Sequence, residues 1–123
     1  MSGDLNVFGT ELRPCGTDPA TGYSRDGHCR QFRNDPGRHQ VCAVMTDDFL
    51  SYSQAQGNDL LTPRPDLGFP GLEPGDRWCI CVPRWLEAYE GDCAPPIVPD
   101  ATNRAVLDDI PIQTVEAYAY DGE

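Results

Sequence analysis

The clearest alternation in the chain runs over residues 39–45, with Val41, Ala43 and Met45 on one face and Cys42 and Val44 on the other. Apolar residues on both faces predict a central strand. A second run, Arg77 to Val82, has the same character, and the two are expected to be neighbours in one sheet. After each strand the spacing changes from two to the wider period of a helix. Thr46 is placed as a cap, with Asp47 and Asp48 in a first turn that favours negative charge, so a helix is predicted over 46–56. Phe49, Leu50 and Ser53 would face inward, and Gly57-Asn58 would end it. Pro83 opens a helix over 83–90 carrying Trp85, Leu86 and Tyr89, and Pro111 opens another over 111–119 with Ile112, Val115 and Tyr118 on one stripe.

The remaining segments are punctuated differently. A short strand and turn are expected at Leu5–Phe8, an edge strand at Ile97-Val98, and a short helix capped by Thr102 and running through Ala105 and Leu107. Residues 14–37 are rich in Gly, Pro and Asp, and Asp26-Gly27 has the form of a hairpin closure. Residues 57–76 make a long loop with four prolines, which Leu60, Leu61, Leu67, Phe69 and Leu72 would hold down. At least one of Trp78 and Trp85 should be buried and anchor that loop. The sum is a single α+β domain over 1–123. We expect a two-layer sandwich in which a small, mainly antiparallel sheet carries helices on one face, with a frayed acidic tail at 120–123.

A chain of 123 residues is large enough to bury a core without disulfide staples. The formal net charge is −11, from twenty acids against nine arginines and no lysine. Such a surface repels phosphates and anionic lipid, which argues against nucleic acid and membranes as partners. Acid excess without lysine also has a halophile-like character, so the charge is read as habitat and not as a clue to a partner. No apolar run approaches membrane-spanning length, and Met1-Ser2-Gly3-Asp4 does not resemble an export signal. A cytoplasmic location is expected on these grounds, and there the six cysteines would remain reduced, as small buried hydrophobes.

Three kinds of chemistry compete. His39, Cys42, Cys79 and Cys81 offer four donors suited to tetrahedral zinc. On a regular strand, however, His39 and Cys42 point to opposite faces and converge only if a turn or a bulge intervenes. Cys81, with Cys79 and His39 beside it, is a candidate for thiol catalysis. It precedes the helix near Pro83, Arg84 follows in the first turn, and both features favour a thiolate. His39 would be its base if the strands adjoin. Third, Asn58, Asp59, Arg77, Trp78 and Arg84 could line a pocket for a small polar ligand.

Several strings, read in order, resemble one family. They are Cys15-Gly16-Thr17-Asp18-Pro19, Thr21-Gly22-Tyr23, Arg25-Asp26-Gly27 with Cys29, and His39-x-Val41-Cys42. After these come Gly57-Asn58-Asp59-Leu60, Phe69-Pro70-Gly71-Leu72, and Pro74 through Cys81 leading into Arg84-Trp85. Together they resemble the bacterial family of unknown function numbered 2237, over about Asn6 to Tyr118. The resemblance implies a small two-layer α+β domain and carries no activity. Asn103 stands where that pattern commonly has histidine, and Cys93 where it has an aliphatic residue. These departures count against a site at position 103 and mark Cys93 as incidental. The resulting expectation is a small domain that binds a polar ligand or a protein partner. A thiol enzyme or redox protein and a structural zinc domain are the alternatives, and a homodimer through the Ile97-Val98 edge is an open arrangement.

Overall fold

The structure is a computed structural model, and it describes residues 4–16, 27–31, 35, 38–57, 59–67 and 71–120. The expected hairpin around Asp26-Gly27, the anchor Phe69 and the last three residues of the acidic tail lie outside those residues in whole or part.

Strands β1 (His39–Val44) and β2 (Arg77–Cys81) pair antiparallel, as their shared apolar pattern predicts. Among the described residues they are the only two strands of the sheet. Residues 96–98 lie along the free edge of β1, where the Val44 N–H donates to Pro96 O (2.9 Å) and the Val98 N–H to Cys42 O (2.7 Å). Ile97 in turn exchanges backbone bonds with Tyr118 and Tyr120. The backbone groups of Ile97 that a second copy would need are thus taken up within the chain.

The helices begin where the capping chemistry places them. Thr46 Oγ1 accepts from the Phe49 N–H and opens α1 (Asp47–Ala55). Helix α2 (Val82–Glu90) follows β2 without a loop, and it starts one residue earlier than the proline alone suggests. Helix α3 (Ile112–Ala117) follows Pro111. The short helix near 104 differs from expectation. Its cap is Asn103, which accepts from the Ala105 N–H, while the Thr102 hydroxyl is spent on Cys42 N–H and Val98 O. Thr102 has a competing partner on β1, and that partner removes it from capping duty.

Two apolar clusters flank the sheet. Val41, Ala43 and Ile80 pack with Phe49 and Leu50 of α1, Trp85 and Ala88 of α2, and Val115 of α3. Residues from all three helices therefore meet in one cluster. Cys42, Val44 and Cys79 join a second cluster with Cys15, Cys29, Val98 and Ala101. Both tryptophans are buried: Trp85 donates its Nε1–H to Pro95 O (3.1 Å), stacks on Tyr89 and meets Tyr118 edge-on. The long loop is held down as expected, since Leu60 and Leu61 pack on the main cluster and Leu72 lies inside it. Gly71 makes this closure possible. Its φ is +83° and a Cβ there would sit 2.6 Å from Leu61 O, so only glycine fits.

Candidate functional site

The strand register contains one irregularity, between His39 and Val41. Cys42 faces Cys79 and His39 faces Cys81. The two cysteines of β2 are two residues apart, while their partners on β1 are three apart. The extra residue, Gln40, is absorbed by the bulge. A bulge is one of the two conditions under which the sequence allowed His39 and Cys42 to point the same way, and their partners Cys81 and Cys79 are separated by the Val41–Ile80 rung.

Asp35 and Arg38, ahead of β1, complete the arrangement. Arg38 adopts a left-handed conformation (φ 55°), and its carbonyl accepts from Gln40 N–H (2.8 Å) and from Val82 N–H (3.0 Å), the first residue of α2. One carbonyl thus ties the start of β1 to the start of the helix. The Arg38 side chain is anchored in turn on Asp109 and on Ala105 O. The Asp35 side chain is fully buried, and it accepts from Arg38 N–H (3.1 Å), from His39 N–H (2.8 Å) and from the His39 ring at Nδ1 (2.7 Å). The opposite ring nitrogen, Nε2, lies 3.4 Å from Cys81 Sγ.

Asp35, His39 and Cys81 therefore form a line of contacts: carboxylate, imidazole, sulfur. His39 is raised from an ordinary 6.5 to about 9, first by its hydrogen bond to Cys81, against the opposing effect of burial, with Asp35 adding to the rise. Cys81 is itself the N-cap residue of α2, and its sulfur makes no capping bond. Arg84 has a different part from the one expected. Its guanidinium is held by Gln56 O and by Glu87, so the cationic group in contact with Cys81 is His39. A recess of about 40 Å³ adjoins the pair, walled by Leu60, Trp78 and Ile80.

The other cysteines divide sharply. Cys15 is bonded to Cys42 and Cys29 to Cys79, with Cα separations of 5.6 and 5.4 Å. This corrects the expectation of uniformly reduced, core-filling thiols. Loop cysteines that carry no periodic signal are brought onto the strand pair, and Cys79, which also lines the recess beside His39 and Cys81, is a disulfide partner and not a free thiol. The sulfurs of Cys15, Cys29 and Cys79 all lie within 4.8 Å of one another, a spacing within which a metal ion could be held. The zinc set read from sequence is thus split, with Cys42 and Cys79 taken into the two disulfides and His39 and Cys81 in the other pair. Cys81 and Cys93 remain free thiols. Burial pushes the Cys93 thiol up, and Asp48 and Asp92 push the same way.

The polar loop residues are engaged locally. Asp59 accepts from Leu61 N–H, Thr62 N–H and Gln54, and its carboxyl is lowered chiefly by Thr62. Arg77 lies over the Tyr120 ring at 5.9 Å, Trp78 is buried, and Asn58 lies outside the described residues. Asp35 is the site residue that sequence reasoning missed. Its one signal was the four-residue spacing to His39 across Pro36-Gly37, a string that a turn explains completely.

No helix among the described residues is long and apolar enough to cross a membrane. No curated protein matches the chain. A family model does, over residues 5–119, and it spans both the sulfur cluster and the Asp35–His39–Cys81 line. The chain belongs to the family described as uncharacterised proteins conserved in bacteria, DUF2237.

Proposed function

We propose that this chain is a thiol-dependent enzyme in which Cys81 is the nucleophile, His39 its proton partner and Asp35 the residue that positions His39. The observation that carries this reading is the unbroken line from Asp35 through both nitrogens of His39 to Cys81 Sγ, at 2.7 and 3.4 Å. A nucleophile, a base and a group orienting that base are the three parts that activate a sulfur. Asp35 accepts at Nδ1, which leaves Nε2 to exchange a proton with the thiol. The dipole at the start of α2 favours negative charge at the sulfur.

The chemistry that suits this order is hydrolysis of a small acyl substrate by way of a thioester on Cys81. The Cys81 proton passes to His39, and the sulfur attacks the acyl carbon. The leaving group departs with the proton held on His39. Neutral His39 then takes a proton from water, whose oxygen attacks the thioester; the acid leaves, and the proton passes from His39 back to the Cys81 sulfur. The apolar wall of Leu60, Trp78 and Ile80 favours a compact, apolar acyl group.

Alkylation of the native chain with iodoacetamide, followed by peptide mapping, tests the reading. Cys81 should label severalfold faster than Cys93, and His39→Ala should abolish that advantage while leaving the Cys93 rate unchanged. Equal labelling of the two, or a Cys81 rate indifferent to His39→Ala, would show that accessibility alone governs the sulfur.

A further inference from the structure

We infer that Cys15, Cys29, Cys42 and Cys79 form a convertible sulfur centre, two disulfides when oxidised and a tetrathiolate zinc site when reduced. All four residues are at most 2 % exposed. Three of the sulfurs lie within 4.8 Å of one another, and the fourth, on Cys42, is bonded to one of those three. Tetrahedral zinc at a Zn–S distance of about 2.3 Å needs sulfurs about 3.8 Å apart. Once the two bonds are cleaved, changes of cysteine rotamer are the means by which the four reduced sulfurs would reach that spacing.

The backbone at these positions is held by bonds other than the disulfides. Cys15 N–H donates to Gly27 O (2.6 Å), which fastens one loop to the other. Cys29 O accepts from the Asn103 side chain (3.1 Å), and Cys42 N–H donates to Thr102 Oγ1 (3.0 Å). Cys42 and Cys79 are partners in the strand ladder. Cleaving both S–S bonds therefore leaves these supports of the four cysteines in place. The donors are soft and uniform, which selects zinc over calcium or magnesium.

The conversion balances simply. Two dithiol or phosphine reductants cleave the two S–S bonds and are oxidised, giving four thiols. One Zn²⁺ then forms four Zn–S bonds while four thiol protons leave to solvent, and the metal changes no oxidation state. Disulfides persist in oxidising compartments and thiols in reducing ones, so the compartment decides which form is held. This centre shares none of its sulfurs with the Cys81 site, although Cys79 also lines the recess beside Cys81.

The test uses the full chain, reduced anaerobically with tris(2-carboxyethyl)phosphine, freed of reductant, and titrated with Co²⁺ and then Zn²⁺. Near-ultraviolet circular dichroism is followed alongside. The reduced chain should take up one Co²⁺ with the intense visible bands of a tetrahedral thiolate site, and Zn²⁺ should displace it one for one. Should reduction alone loosen the fold, the metal should restore the near-ultraviolet signal, because binding and folding are then one equilibrium. The oxidised chain should take up none. Cys29→Ser and Cys42→Ser should each weaken uptake at least about tenfold, while Cys81→Ser and Cys93→Ser should leave it unchanged. No uptake by the reduced wild type overturns the inference. So does uptake that survives both Cys29→Ser and Cys42→Ser, or that disappears in Cys81→Ser.

Discussion

Asp35 shows how a residue with a sufficient local explanation can conceal a second one. In sequence it belongs to the turn Asp35-Pro36-Gly37, and Asp before Pro-Gly needs no further account. In the fold the same carboxylate fixes the backbone at Arg38 and His39 and the His39 imidazole together. His39 and Cys81 were legible because each is a rare residue type at a strand position, whereas an acid among twenty was not. The raised His39 has a consequence for pH. A cation stabilised on folding contributes fully below its unfolded value of about 6.5, and that contribution is lost as pH rises through about 9. The stability difference between wild type and His39→Ala should accordingly shrink from pH 6.5 to pH 9, as read by urea denaturation. Asp35→Asn removes a group that raises His39, so in that background the loss should come at lower pH. A difference that stays flat across the range would separate His39 from its partners.

At the level of elements, the strands and helices were legible because each combines a period with a punctuation mark. Val41, Ala43 and Met45 set the face of β1, Thr46 starts α1, and Pro83 and Pro111 sit at the starts of α2 and α3. The bulge at Gln40 was not legible, because a single extra residue leaves the apolar alternation from Val41 onward intact. The disulfide loops were not legible either. Residues 12–16 and 27–31 carry no period, and the bonds they make are decided by the strands on which they land. Helix α2 gives a direct test of packing. Trp85 is fully buried, donates to Pro95 O and contacts two tyrosine rings. Trp85→Ala should cost about 3–5 kcal/mol in chemical denaturation. A loss below about 1 kcal/mol would mean that α2 is not docked through this side chain.

For the whole molecule, the two disulfides set the scale of stability. Their sequence separations are 27 and 50 residues, for which loop entropy gives about 3.5 and about 4 kcal/mol. The loops overlap, running 15–42 and 29–79, so the second bond closes a chain the first has already shortened. Cys15→Ser and Cys29→Ser should each lower stability by about 2–5 kcal/mol, and the double variant by less than the two together. Full additivity in thermal unfolding would show that the bonds act on independent parts of the chain.

The overlap of those two loops also bears on how the molecule is made. Synthesis proceeds from the N-terminus at about 5–20 residues per second, so Cys15 and Cys29 are both outside the ribosome seconds before Cys79 exists. They are the first two thiols able to meet, and the loop between them is shorter than either of the loops that the native bonds close, 27 and 50 residues. Yet neither bonds the other in the finished molecule: each waits for a strand cysteine that comes later. An oxidant acting during translation would therefore favour the wrong partner. The Cys29–Cys79 bond becomes available only once β2 has been made, so a Cys15–Cys29 bond formed before then must be undone for either native pair to close.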